Sequence, residues 1–368
     1  MAGVDSRGAA RPSEVSIPSP NTLLRAAPAV AAVALAILTA PVSIDAAPPA
    51  PSADGWGREA ARADTKTACI YTRNDLRLLA AFQRRVGREF SCALVFNDAA
   101  PVWKGWVEPW VQVHPDPRFK WADWVNGKPG RRLVLTQSLV PASVPSDWRR
   151  RGARGEYDRY AKALARNLIR KGLGNTIIRL SHEMNGDWYR DHIGYTVREH
   201  RDWARYWARI VRIMRKQPGA HFLFDWNIAA GYRPIPFDQY YPGDDVVDIV
   251  GIDFYDYRFT RDVPAAAGAH RWRSQYAQPG GLGEAIAFAK AHGKPISLPE
   301  WGLAKRGRYR GGLGDNPDFV RRIATVVRDN PTVYQAYFEC PTGDTKQLRD
   351  APRSRAVYRG TLLARTSG

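Results

Sequence analysis

The stretch Ile178-Arg179-Leu180-Ser181-His182-Glu183-Met184-Asn185-Gly186-Asp187-Trp188 decides the fold. It continues a β-branched and apolar run from Thr176 to Leu180, then turns abruptly polar, with a carboxylate, an amide and a glycine in quick succession. That profile predicts a buried strand whose C-terminal end opens into a site. Alone, it reads better as a strand followed by an ordinary polar loop. A second stretch, Lys294-Pro295-Ile296-Ser297-Leu298-Pro299-Glu300-Trp301-Gly302, repeats the design: a short apolar strand ending in a glutamate.

Outward from these two stretches, strand-like and helix-like segments alternate from Ala68 onward. Strands are predicted at Ala68 to Tyr71, Cys92 to Phe96 and Leu133 to Ser138, which makes the strand leading to Glu183 the fourth. His221 to Trp226, Val246 to Phe254, the strand carrying Glu300, and Val333 to Phe338 complete eight. Helical stripes lie between them: Asn74 is placed to cap the first, and Asn316 and Pro317 to open the last. This rhythm predicts an α/β fold, a (β/α)8 TIM barrel forming a single domain over residues 67–368, with its site at the C-terminal strand ends. An open doubly wound sheet is the alternative that a βα count does not exclude.

Composition bounds the function. The 368 residues suffice for a sizeable core. Thirteen Trp, 16 Tyr and 12 Phe exceed what a core needs, and such rings serve as stacking platforms in sugar-binding clefts, although core filling is the default for any one of them. A Trp-rich connection after strand two carries Trp103, Trp106 and Trp110. The net charge of +19 favours anionic partners, but there is no compact basic block and no nucleic-acid motif, so no nucleic-acid partner is expected. No obligate protein partner is evident either.

Residues 1–25 are polar, Ala26 to Ile44 carries no charge, and Ala29 to Leu38 is a compact apolar run. Residues 1–47 therefore read as a signal peptide with a long front region or an uncleaved membrane anchor, and residues 48–66 as a Pro/Ala-rich linker. Either way the remainder faces an exported, oxidising compartment. Cys69, Cys92 and Cys340 permit one disulfide at most and fit no zinc spacing; the ends of strands one, two and eight should bring them near one another.

Two glutamates at two strand ends are what glycosidic-bond hydrolysis needs: a proton donor, and a nucleophile or base. A nucleophilic carboxylate further needs hydrogen-bond donors that aim it, and Tyr255 and Trp301 are the candidates. The competing reading pairs Glu183 with Arg179 as a buried ion pair. A zinc helix is excluded, because Gly186 stands where His182-Glu183 would require a second histidine. No metal or cofactor is expected.

His182-Glu183-Met184-Asn185-Gly186 with Trp188, Tyr241-Pro242-Gly243-Asp244 leading into Gly251-Ile252-Asp253-Phe254-Tyr255, and Glu300-Trp301-Gly302 together resemble glycoside hydrolase family 26. That family contains β-mannanases and enzymes acting on mixed-linkage β-glucan or xylan. The resemblance covers about Ala68 to Phe338. It implies Glu183 as acid/base and Glu300 as nucleophile, with Tyr255 bonding the nucleophile and Asp253 near the same subsite. It further implies that His182 and Asn185 shape the site, Trp188 is a leaving-group platform and Trp226 a cleft tryptophan. Two departures stand out: Tyr337-Phe338-Glu339-Cys340 lies where a tryptophan platform is usual, and strand three ends in Gln137-Ser138 rather than a histidine. The resulting expectation is an exported retaining endo-glycosidase acting on a β-linked polysaccharide, an anionic one included. The alternative is a polysaccharide-binding or assembly protein that keeps the barrel with little turnover. The two carboxyls should then lie about 5–5.5 Å apart.

Overall fold

Eight strands alternate with helices, as their hydrophobic periods require: β1 (Thr67–Tyr71), β2 (Cys92–Asn97), β3 (Arg132–Gln137), β4 (Ile177–Leu180), β5 (Leu223–Ala229), β6 (Ile249–Tyr255), β7 (Ile296–Ala304) and β8 (Thr332–Phe338). In this computed structural model the described residues are 67–97, 100–258, 266, 268–306, 311–340 and 344–364. Each of these eight strands pairs in parallel with its barrel neighbours, β1–β8 and β6–β7 pairings close the sheet into a barrel, and a two-residue strand, Thr345–Lys346, adds antiparallel to β7. The leader, anchor and linker expected in residues 1–66 lie outside the described residues. No helix among the described residues is long and apolar enough to cross a membrane.

Period-2 alternation sorts each strand into an inner and an outer face. Outward side chains such as Ile70, Val95, Leu135, Ile178 and Phe224 join the large apolar layer beneath the helices. Helices α1 (Leu76–Val86), α2 (Asp158–Arg170), α3 (Val197–Arg215), α4 (Leu282–Ala291), α5 (Pro317–Asp329) and α6 (Pro352–Thr361) supply the other side of that layer. Inward side chains fill the barrel in tiers. Cys69, Cys92, Leu94, Val134, Ile177, Leu223 and Ile249 make an apolar floor, and Thr136, Arg179, Asp225, Asn227, Ser297 and Tyr334 are buried polar groups within the barrel. The inward side chains of these tiers make the barrel interior a packed core, not a pore.

Several expectations are refined. Cys69 and Cys92, on adjacent strands and both inward, form the one disulfide, while Cys340 is buried beyond the end of β8 and is not part of it. Asp75, not Asn74, caps α1, accepting from Arg77 N at 2.8 Å. Asn74 instead clamps β2: its Oδ1 accepts from Phe96 N at 3.0 Å. Asn316 and Pro317 open α5 as expected. β5 runs from Leu223 to Ala229, ending beyond the Trp226 boundary, because its inward residues Asp225 and Asn227 have buried partners. The Trp-rich connection is pinned to the barrel rather than spread as platforms. Trp106 and Trp110 donate their indole N–H groups to the carbonyls of Ser138 and Phe96, both at 2.8 Å. Trp103 stacks on Tyr160 at 3.8 Å.

Candidate active site

The turn after β4 departs from relaxed backbone geometry. Ser181 and Glu183 both adopt left-handed conformations (φ 58° and 49°), which side-chain-bearing residues hold only when their surroundings enforce it. The enforcement is visible. Ser181 N donates to Gln137 O at 2.8 Å, Glu183 N donates to Asn227 Oδ1 at 2.9 Å, and Trp207 donates its indole N–H to Leu180 O at 3.0 Å. Asn185 staples the turn to the end of β5: its amide donates to Ala229 O and Tyr232 O and accepts from Ala229 N. With its amide engaged by backbone, Asn185 is a loop-positioning group rather than a sugar contact. Gly186 is required by close approach, since a Cβ there would stand 2.6 Å from the Trp188 indole. Trp188 in turn donates its Nε1–H to Glu183 Oε2 at 2.8 Å. Glu183 is therefore aimed by an indole and remains partly exposed.

At β7 the register shifts on both neighbours between Leu298 and Trp301 or opposite that stretch. This irregularity, at Pro299, re-aims the strand. Ser297 points inward, bonding Asp225 Oδ2 at 2.6 Å, and strict alternation would turn Pro299 and Trp301 inward and Glu300 outward. Instead Glu300 points inward. Trp301 faces the helix layer, against Phe319 and Tyr358, and donates its Nε1–H to Gln335 at 2.6 Å. Trp301 therefore does not hold Glu300, a correction that follows from the bulge.

Glu300 is instead held on both oxygens: Arg179 Nη1 donates to Oε1 at 2.6 Å and the Tyr255 hydroxyl donates to Oε2 at 2.9 Å. Its backbone N–H donates to Asp253 Oδ1 at 3.0 Å. Arg179, fully buried, also bonds Asp253 Oδ2, and its Nη2 reaches Asn227 Oδ1 at 2.8 Å. Asn227 Nδ2 returns to Asp253 Oδ1 at 3.0 Å. The β4, β5, β6 and β7 ends thus share one polar network. Buried charges survive only when paired in this way. The competing pairing of Arg179 with Glu183 is replaced: Arg179 serves Asp253 and Glu300.

Electrostatics follow the burial. Burial pushes the Asp253 carboxyl up against the opposing charge of Arg179, and neighbouring Glu300 and Glu183 add to the rise. Burial and the Glu300 charge push the Tyr255 hydroxyl up, so it stays a donor. Burial, reinforced by Arg179, holds His182 well below the usual histidine range, hence neutral. Its ring lies against Tyr189 at 4.1 Å and edge-on to Phe96 at 5.4 Å, on the Arg179 side of the site. One tier down, Asp225 accepts from Ser297 and from the Tyr334 hydroxyl at 2.5 Å, and burial lifts it to about 6.

One oxygen each of Glu183, Asp253 and Glu300 lies within 4.8 Å of the other two. The cation among these carboxylates is the Arg179 guanidinium. The structure therefore brings Glu183, Glu300, Asp253, Tyr255, Trp188 and His182, each singled out in the sequence, into one constellation. Trp226 is excluded from it. It is fully buried on the outward face of β5, with its ring against Tyr240, Tyr241 and Phe288, because odd-numbered neighbours Asp225 and Asn227 take the inward positions. Arg179 and Asn227 are the functional residues that the motif reading did not assign. A charged residue inside an apolar strand was the available signal for Arg179, since such a group must meet buried carboxylates.

Comparison with known proteins agrees with this geometry. The model of the family described as glycosyl hydrolase family 26 matches residues 88–272, half of the chain. Endoglucanase H of Acetivibrio thermocellus is 25% identical over 221 residues, 58% of this chain but 23% of that protein, so the chain spans less than a quarter of that relative's length. Among solved structures, the catalytic domain of a Bacillus sp. JAMB-750 endo-β-1,4-mannanase superposes with a TM-score of 0.56 at 14% identity, covering 83% of this chain and 90% of that one. A β-mannanase from Bacteroides ovatus gives a TM-score of 0.56 at 15% identity, covering 85% and 92%. At such identities the structural likeness speaks for the barrel fold alone. The family match, which takes in β4 with the turn that carries Glu183 and β6 with Asp253 and Tyr255, makes this chain a member of glycosyl hydrolase family 26.

Proposed function

We propose that the chain is an exported, retaining endo-glycosidase that cleaves a β-linked polysaccharide, mannan-like or β-glucan-like, by double displacement. The observation that carries this reading is the approach of Glu183 and Glu300 oxygens to within 4.8 Å across the barrel mouth. Inverting enzymes need about 6.5–9.5 Å between the carboxyls to admit a water, whereas retaining enzymes hold them at about 5–5.5 Å. Glu300, gripped by Arg179 and Tyr255, attacks the anomeric carbon, and Glu183 donates a proton to the departing oxygen. Glu183 then takes a proton from the water that releases the sugar from Glu300. Neutral His182 and the Tyr255 hydroxyl flank the reacting sugar, and Trp188 offers its ring on the Glu183 side. The substrate class draws support from the relatives, one called an endoglucanase and others β-mannanases. Export draws support from the apolar run at Ala29 to Leu38 and from the Cys69–Cys92 disulfide, a bond that persists in oxidising compartments.

The test is a screen of purified protein on mannan, mixed-linkage β-glucan, xylan and acidic bacterial polysaccharides, with Glu300→Gln as control. The anomer first released is read by NMR before mutarotation. Retained configuration on any of these supports the mechanism, and inverted product sinks Glu300 as nucleophile. Binding without turnover on all of them would favour a polysaccharide-binding or assembly role.

A further inference from the structure

Among the described Trp, Tyr and Phe residues Tyr195 alone is left largely in solvent, at 66% exposure, and its neighbour Val197 is 47% exposed. Every other described Trp, Tyr and Phe is at least partly covered. An aromatic ring held in water forfeits favourable burial, so a ligand that covers it gains that burial.

Hydrogen bonds fix the segment. Tyr195 N and Thr196 N both donate to Glu199 Oε2, at 3.0 and 3.1 Å, and Thr196 and Glu199 form a reciprocal capping box at the start of α3. Gly194, at φ 98°, donates its N–H to His192 Nδ1 at 3.0 Å. The Arg233 guanidinium covers one face of the Tyr195 ring at 4.9 Å, and His192 meets the ring at a steep angle at 5.0 Å. The rest of the ring stands in solvent. Arg233 also donates to Gly194 O at 3.1 Å and reaches Gly186 O in the turn that carries Glu183 and Trp188. The adjacent Tyr232 packs on Trp188 at 4.3 Å and donates its hydroxyl to Asp187 at 2.9 Å. Trp188, Tyr232, Arg233 and Tyr195 thus form a connected line leading away from Glu183 along the rim that the β4 and β5 loops build.

We propose that Tyr195, backed by Arg233, is an outlying subsite on the leaving-group side that stacks one pyranose unit of a β-linked glycan chain. This rests on the reading of Glu183 as proton donor, because the departing part of the chain then lies on the Glu183 side. The apolar C–H face of a pyranose matches the exposed ring, while Arg233 fixes the ring's orientation. The subsite lies beyond Trp188, so only longer chains reach it, and it gives the enzyme a preference for internal bonds of long chains.

The test compares β-1,4-manno-oligosaccharides and mixed-linkage β-gluco-oligosaccharides of three and six units on the wild type, Tyr195→Ala and Tyr195→Phe. The ratio of kcat/KM for six units over three falls about tenfold in Tyr195→Ala, the scale of one aromatic stacking contact, and survives in Tyr195→Phe, which keeps the ring. A ratio unchanged in Tyr195→Ala overturns the subsite and leaves the proposed function standing. Because the ring is exposed, thermal melts of both variants match the wild type and exclude misfolding as the cause. If the wild type cleaves neither series, calorimetric titration with the six-unit chains decides. A Kd weakened about tenfold by Tyr195→Ala upholds the subsite while the hydrolytic reading falls, and unchanged or absent binding overturns the subsite as well.

Discussion

The ends of β4 and β7 each present a glutamate to the barrel mouth, but they hold it by opposite means. Glu183 stands partly exposed on a left-handed turn, with an indole N–H on one oxygen and its backbone fixed by Asn227. Glu300 is buried, and a guanidinium and a phenol grip its two oxygens separately. The tighter grip is assembled from the other strand: Arg179, which holds Glu300, belongs to β4. The two ends are therefore one device, in which β4 supplies both the partly exposed carboxylate of its own turn and the clamp on the buried carboxylate of β7. A group that must attack one carbon benefits from being fixed, and a group that must give and regain a proton benefits from reach to water.

The strongest test of this asymmetry is removal of each carboxylate. Glu300→Ala abolishes turnover on every substrate, because no covalent intermediate forms; residual retaining activity in that variant would break the assignment. Glu183→Ala lowers polysaccharide turnover by about 10²–10⁴-fold, the usual worth of a positioned proton donor. It costs far less on dinitrophenyl glycosides, whose leaving group departs without protonation. Equal losses on both substrates would show that the two glutamates do not divide the work as proposed.

Next in size is the clamp. Arg179→Met leaves Asp253 and Glu300 facing each other without a cation, and breaking one partner of a buried pair costs about 3–5 kcal/mol. Urea unfolding should show a midpoint shift of that size, with activity reduced in the fraction that folds. A loss below about 1 kcal/mol would mean that Asp253 takes up a proton and the network survives without its cation.

The difference between the two ends also marks how far the sequence was legible. Period and punctuation gave all eight strands, because inner and outer faces of a barrel strand are both buried and read as apolar runs bounded by Gly, Pro and Asn. The β4 site was readable in order, since the turn from Leu180 to Trp188 carries its chemistry locally. The β7 site was only half readable. Glu300 and its donor Tyr255 were found, but Arg179, which grips the other oxygen, comes from a strand 121 residues away in sequence, and no local pattern reports such a meeting. Trp301 and Trp226 were misplaced for the same reason: which face a strand residue takes depends on register. The bulge at Pro299 turned Trp301 outward, and the inward demands of Asp225 and Asn227 turned Trp226 outward.

The smallest expected effect concerns the tier beneath the clamp. Asp225 stands in register with Arg179 across β4 and β5, and it is buried with Ser297 and Tyr334 donating to one oxygen. Its other oxygen has no hydrogen-bond partner among the described residues, and Gly251 leaves room for it, since a Cβ there would lie 2.1 Å away. Burial therefore raises it from 3.8 to about 6, against the pull of Ser297, Tyr334 and Arg179. The folded protein keeps this proton to a higher pH than the unfolded chain does. Between about pH 4 and pH 6 the folded state thus binds more protons, so the contribution is most favourable below pH 4 and is lost as pH rises through 6. The full span converts to an upper bound of about 3 kcal/mol. Asp225→Asn removes the titration, so other groups largely cancel in the difference between wild type and variant. Melting temperatures measured from pH 4 to pH 8 should show the wild type losing ground to the variant up to about pH 6.5 and holding level above it. A difference that stays flat from pH 4 to pH 7 would mean that Asp225 is ionised throughout. Arg179 would then divide its charge between the tier below and Glu300 above, and the clamp on Glu300 would be weaker than its 2.6 Å contact suggests.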